Sequence, residues 1–249
     1  MEPLEIDEYY HLKSPIHSWD PRAKIVSIMA LIFSIVLIYD LRLVLLGLVI
    51  AIALLLSSRI PLKFVIWHLR WVFIFILPFL VVMPLAITGG GITFTYEGFE
   101  YALLVSTKAL TSVILIFPMI GTMRFDSTTK ALEKLKIPNK IVQMITFTYR
   151  YIFVFIKEFS DISRSIDSRG FKRRTNMHTI KTLGTAVGML FVKSFERSER
   201  VYIAMQSRGY TGTLKSFDEF EMMKMDWVKS FIITGAAIGL HLVTLAGVI

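Results

Sequence analysis

Two arginines stand in the same four-residue setting, Ser168-Arg169-Gly170-Phe171 and Ser207-Arg208-Gly209-Tyr210, 39 residues apart. A guanidinium is a planar fork of donors that keeps its charge, so its chemistry is recognition of carboxylate or phosphate rather than proton transfer. The glycine after each arginine suits the left-handed position that stops a helix, and the aromatic residue beyond it stands where the apolar contact of a Schellman cap is made. Taken singly, either word is a good helix stop with a cation that complements the helix dipole. Repeated at the ends of two comparable helices, the words predict a protein that grips two equivalent partners through acidic grooves.

Reactive chemistry has no comparable set. The chain contains no G-x-x-x-x-G-K-[ST] loop, and Gly89-Gly90-Gly91 lacks the lysine and flanking elements needed to cradle phosphates. There is no HExxH, no G-x-S-x-G, no intramembrane carboxylate pair and no cysteine. His11, His17, His68, His178 and His241 are scattered without an i, i+4 pair. No catalytic residue, resident metal or cofactor is therefore expected, and energy must come from another protein. A lipid transferase, the reading from another class, would need clustered carboxylates at the membrane face, which Asp126 and Asp167 alone do not supply. A self-sufficient secondary transporter would need broken helices in repeated halves, and no such repeat is visible.

The elements that must position the two words belong to a membrane protein. The 249 residues are 54% hydrophobic and only 19% charged, far from a soluble average. Five apolar stretches predict about five transmembrane helices: Ile25 to Tyr39, Leu43 to Leu56, Trp71 to Ile87, Ala102 to Met123 and Val228 to Ile249. Asp40-Leu41-Arg42 separates the first two, which predicts a tight turn and a helical hairpin, the alternative being one broken, tilted or interfacial helix. Pro78 and Pro84 predict kinks in the third. Lys108 is expected to snorkel to an interface about two turns away, and His241 to serve as a helix-packing donor. Arg22 and Lys24 precede the first stretch, and Arg59, Lys63 and Arg70 lie between the second and third. The loop from Thr88 to Tyr101 has only Glu97 and Glu100. By the positive-inside rule the N-terminus is cytoplasmic and the C-terminus outside. With an acidic start and no early apolar run, no cleavable signal is expected.

The division that follows is a cytoplasmic N-terminal segment (1–24), four transmembrane helices (25–123), a cytoplasmic module (124–227) and a last transmembrane helix (228–249). The module carries 19 Lys and Arg against 11 Asp and Glu, most of the chain's net charge of +9. Helical spacing marks Ser127 to Leu135, Ile141 to Arg169 and Thr179 to Arg208, the last two long and apolar on one side. Beside a membrane, Lys172, Arg173, Arg174 and the lysines of 130–140 are expected to meet anionic headgroups of the lipid bilayer rather than nucleic acid. The fold class is all-α, a polytopic membrane protein with three amphipathic coupling helices.

Four segments carry a family resemblance. The run from Leu12 to Lys24, with Ser14-Pro15-Ile16-His17-Ser18-Trp19-Asp20-Pro21-Arg22 at its centre, resembles the opening motif of the transmembrane T component (EcfT/CbiQ family) of energy-coupling factor ABC transporters, most like the CbiQ type of cobalt or nickel importers. Phe125-Asp126-Ser127-Thr128-Thr129 leading to Ala131 through Pro138 is similar to the first coupling helix of that family, and Tyr149 through Phe153 to the start of the second. Ser194-Phe195-Glu196-Arg197-Ser198-Glu199-Arg200-Val201-Tyr202 leading to the second Ser-Arg-Gly word is similar to the third. The resemblance implies a non-catalytic scaffold that couples two cytoplasmic ATP-binding subunits to a substrate-capturing membrane subunit, either CbiM-like or vitamin-binding. It implies that Ser168, Arg169, Gly170, Ser207, Arg208 and Gly209 contact the ATPases. The cargo it suggests is cobalt or nickel for cobalamin biosynthesis; the alternative is a T component shared among vitamin-capturing subunits.

Overall fold

The computed structural model describes residues 11–12, 14–88, 91–172, 174–212 and 222–245. The acidic N-terminal residues, Gly89, Gly90, Arg173 and the last residues of the fifth predicted stretch lie outside them. Eight helices follow one another: α1 Pro21–Leu37, α2 Leu41–Ser58, α3 Leu62–Val82, α4 Tyr96–Ile120, α5 Phe125–Lys134, α6 Asn139–Ser168, α7 Met177–Ser207 and α8 Lys224–Leu245. Between α3 and α4 a small antiparallel hairpin pairs β1 Leu85–Thr88 with β2 Gly91–Phe94. The chain divides into two compact units, Leu132–Asp218 and the chain on either side of it.

Among the described residues four helices, α2, α3, α4 and α8, are long and apolar enough to cross a membrane by length and composition. The first predicted span, α1, has 17 residues, about 26 Å of helix against a hydrocarbon core of ~30 Å. The third is shifted: α3 starts before Lys63 and Arg70, which were expected in a loop, and ends before Pro84. Pro61 sets that start, since a proline tolerates the position just ahead of a helix but not its interior. Pro78 lies inside α3 as expected, whereas Pro84 lies beyond it and kinks nothing.

In this unit α1 is the central post. Ile28, Leu31, Ile35 and Ile38 are fully buried at helical spacing and pack with Val44 and Ala51 of α2, Leu115 of α4 and Ala237 of α8. The Ser34 hydroxyl donates to the Ala237 carbonyl at 2.7 Å, tying α1 to α8. Lys24, completely buried, donates from Nζ to Thr122 Oγ1 at 2.9 Å just past the end of α4. The segment leading into α1 is fastened to α8 as well: Trp19 Nε1 donates to Ser230 Oγ at 3.2 Å, and Lys229 Nζ to the Pro15 carbonyl at 2.8 Å. Pro15 to Lys24 is therefore built into the unit rather than hanging from it.

Local chemistry explains where α1 begins. Asp20 caps it, accepting from the Arg22 backbone N–H at 2.8 Å, and Pro21 takes the first helical position, where no backbone donor is required. Arg22 also folds back onto the carboxylate, with Nη2 at 2.9 Å. Burial pushes the Asp20 carboxyl up, but the hydrogen bonds and charge of Arg22 outweigh it and hold the group below its ordinary 3.8. The stability this supplies is complete above the unfolded value and is lost as pH falls through the lower folded one.

Lys108 reaches a specific acceptor rather than open interface. Its Nζ donates to the Val36 carbonyl at 2.7 Å and sits 5.0 Å from the centre of the Tyr39 ring. It thereby satisfies one of the carbonyls left open where α1 stops. His241 Nδ1 is buried with no hydrogen-bond partner among the described residues, beside an apolar groove lined by α1 and α8.

Two predictions follow from this unit. Asp20→Asn should keep the helix cap yet flatten the fall in thermal stability below about pH 4, measured by unfolding in detergent across that range. Gly98→Ala should destabilise by ~1–3 kcal/mol, because a Cβ there would lie 2.6 Å from the Met83 carbonyl oxygen. Gly235→Ala, with nothing within 4 Å, serves as the contrast in the same unfolding assay and should be neutral or stabilising.

Candidate functional site

The second unit contains α6 and α7, of 30 and 31 residues. Each is stopped by one of the Ser-Arg-Gly words. Arg169 and Arg208 are the C-cap residues, at φ −85° and −95°, and Gly170 and Gly209 follow at φ 81° and 80°. Only glycine takes that left-handed conformation without a Cβ penalty. The serines match too: Ser168 Oγ donates to the Arg164 carbonyl at 2.8 Å and Ser207 Oγ to the Ile203 carbonyl at 3.0 Å. Backbone bonds repeat the pattern, Gly170 N–H to Asp167 at 3.0 Å and Gly209 N–H to Gln206 at 2.9 Å. Both guanidinium-bearing residues are exposed at their helix ends. Each word thus presents an arginine from a rigid, self-satisfied turn.

Beyond the glycines the words diverge. The Tyr210 N–H returns to the Met205 carbonyl at 3.0 Å, completing a Schellman motif. Tyr210 does not end its work in an apolar contact: its hydroxyl donates to Gln143 Oε1 at the start of α6, and Gln143 Nε2 donates to the Gly212 carbonyl at 2.9 Å. Phe171 instead lies against His178, with ring centroids 5.9 Å apart. The network around Gln143 was not anticipated from sequence. A glutamine one turn into an amphipathic helix carries no sign of a partner almost 70 residues ahead.

The contacts also show how α6 and α7 lie. The end of α7 meets the start of α6 through Tyr210 and Gln143, while a short connection joins the end of α6 to the start of α7, so the helices run antiparallel. The two arginines are therefore not brought together; Arg208 lies toward the beginning of α6 and Arg169 at its end. Between the helices, Arg197 Nη2 pairs with Glu158 Oε1. On one side of this pair is a cleft of about 920 Å³ whose wall includes Asp161, Arg169, His178 and Lys193. On the other, Phe147, Tyr151 and Phe155 face Val201 and Met205 around about 180 Å³. No group of three His, Asp or Glu able to hold a metal ion occurs among the described residues.

This arrangement, apolar helices of membrane-crossing length in one unit and two amphipathic helices ending in exposed arginines in the other, is that of an all-α polytopic membrane protein with an amphipathic helical module. Residues 12–217 match the family model CbiQ, described as cobalt transport protein, and the chain belongs to that family, the EcfT/CbiQ transmembrane component of energy-coupling factor transporters. It is 27% identical to the energy-coupling factor transporter transmembrane protein EcfT of Heliobacterium modesticaldum, over 85% of this chain and 86% of the relative. An uncharacterized protein of Methanocaldococcus jannaschii is 27% identical over 86% of this chain and 77% of its own length. A putative fused cobalt transport protein CbiMQ of Methanocorpusculum labreanum is 29% identical over 52% of this chain and 24% of the fusion.

The caps make a direct prediction. Tyr210→Phe leaves Gln143 Oε1 without its donor in a mostly buried setting, at a cost of ~1–3 kcal/mol. Faster amide hydrogen exchange over residues 205–212, with residues 166–171 unchanged, is the expected result.

Proposed function

We propose that the chain is the non-catalytic coupling subunit of an energy-coupling factor importer, receiving ATP-driven motion from two cytoplasmic ATP-binding subunits through Arg169 and Arg208. The observation that carries this reading is the repeated cap. Two words of the same sequence, in the same backbone conformation and with the same serine back-bond, each present an exposed arginine at the end of a helix of similar length. A dimeric or paired partner with an acidic groove on each half would be met by such a duplicate. In this reading 25–123 and 228–249 lie in the membrane, 124–227 and the N-terminus face the cytoplasm, and the C-terminus faces outward. ATP hydrolysis takes place in the partners, and a substrate-capturing membrane subunit completes the assembly.

Cobalt or nickel is the proposed cargo of the assembly. The description of the family as cobalt transport protein and the fused relative whose name joins CbiM to CbiQ support it. Names of other relatives specify only EcfT, which favours as second reading a T component shared by vitamin-capturing subunits. Affinity purification of the tagged chain expressed with its genomic neighbours separates the two: co-purification of a CbiM-like subunit supports metal, a vitamin-binding subunit the alternative.

Truncating either arginine to alanine should weaken ATPase association by ~2–5 kcal/mol if the contact is a desolvated charge pair, and glutamate should be worse because it places like charges together. Retention of the ATPases by the tagged membrane complex is the measurement. Full assembly and uptake in the Arg169→Glu, Arg208→Glu double variant would end this reading.

A further inference from the structure

The offset that separates the two arginine words also separates the ion pair between their helices. Arg197 lies 39 residues after Glu158, as Arg208 lies 39 after Arg169. Glu158 and Arg197 therefore occupy the same position in two copies of one pattern, and in the folded module these counterparts touch. Two antiparallel helices related by a twofold axis bring each on-axis residue against its own counterpart. A strictly repeated sequence would place like charges there. This chain does the reverse: Lys157 and Glu196, Glu158 and Arg197, Asp161 and Arg200 are opposite in sign at equal offset. The contact point also fixes the arms, since each arginine tip lies eleven residues beyond it. At 1.5 Å per residue each arm is about 16 Å, so along the helix axes the two arginine positions lie at most about 33 Å apart.

We propose that Glu158 and Arg197 are positioning residues forming the pivot of a pseudo-twofold module, holding Arg169 and Arg208 on equal, oppositely directed arms. The pair is partly withdrawn from solvent, with side-chain exposures of 20% and 33%, so its charges are less screened than those of a surface pair. Glu158 Oε2 and Arg197 Nε are buried with no hydrogen-bond partner among the described residues. The same two groups also have a fork-to-fork geometry open to them. One bond can thus become two as the helices turn about the contact, without the charges separating. Cavities on both sides of the pair leave room for that turn.

What the arms carry rests on the docking reading above; the pivot itself does not. The absence of native cysteine allows spin labels at Ser165→Cys and Ala204→Cys, exposed positions at the same 39-residue offset. In the purified full chain in lipid nanodiscs, pulsed dipolar spectroscopy should give one narrow distance distribution. Glu158→Arg should shift or split it, and Glu158→Arg combined with Arg197→Glu should restore it. An unchanged distribution in the single variant, or failure of the exchange to restore it, overturns the pivot. If Glu158→Arg does not yield folded protein, Glu158→Gln takes its place; broadening supports the pivot and an unchanged distribution refutes it. ATPase retention measured on the same variants separates the two ideas: a shifted distribution with full ATPase retention leaves the pivot standing and counts against docking through the arginine tips.

Discussion

A helix that stops leaves carbonyls without donors, and a chain made almost wholly of helices meets that demand at every end. The demand is sharpest where water is scarce. Here it is met by whatever side chain can reach. Lys108 crosses from α4 to the last turn of α1 and bonds the Val36 carbonyl there, while hydroxyls within the helices find acceptors on helix-interior carbonyls, Ser34 on α8 and Thr107 and Thr111 four residues back on α4. Outside the apolar helices the same demand is met by glycine and serine in the two arginine words. The turn that ends both α6 and α7 is thus a solution to a backbone problem, and each arginine is attached to a turn whose backbone groups are already bonded.

The two units are held by different physics. In the first, aliphatic side chains of α1, α2, α4 and α8 interlock around a dry core, with Lys24 and Thr122 sealing one end. In the second, α6 and α7 have very few buried residues, Val142, Gln143 and Ala186. Much of their apolar surface, including Ile152, Phe159, Phe191 and Phe195, is exposed. Such a pair owes its geometry to a few polar contacts and helix stiffness more than to packing density, which leaves its crossing angle lightly constrained.

Helices were legible in the sequence to within a few residues where caps were strong: Asp40 before α2, Pro138 before α6, and the glycines after α6 and α7. The misplacement of α3 has a plain cause. Hydropathy sees Lys63 and Arg70 as a break, whereas a long side chain can leave the apolar belt while its backbone remains helical. The hairpin of β1 and β2 was hidden because glycine-rich segments carry little pattern. Of the candidate site, the arginines, their glycines and the cap geometry could be read directly from the repeated words. The Glu158–Arg197 pair and the Gln143 network could not, because each depends on the crossing of two helices, and a single helix face shows only that these residues are polar. The clue that was present, opposite charge at equal offset, becomes meaningful only once the helices are known to be antiparallel.

The unequal endings of the two words have a mechanical meaning. Tyr210 and Gly212 lash the Arg208 end back onto α6, so a pull on that arginine is shared by both helices and stretches hydrogen bonds along two backbones. At the Arg169 end the aromatic residue rests against His178 of α7, a ring contact where the other end has a hydrogen-bonded brace. The same cap is thus mounted in two ways, and equal loads on the two arginines would not strain the two ends equally.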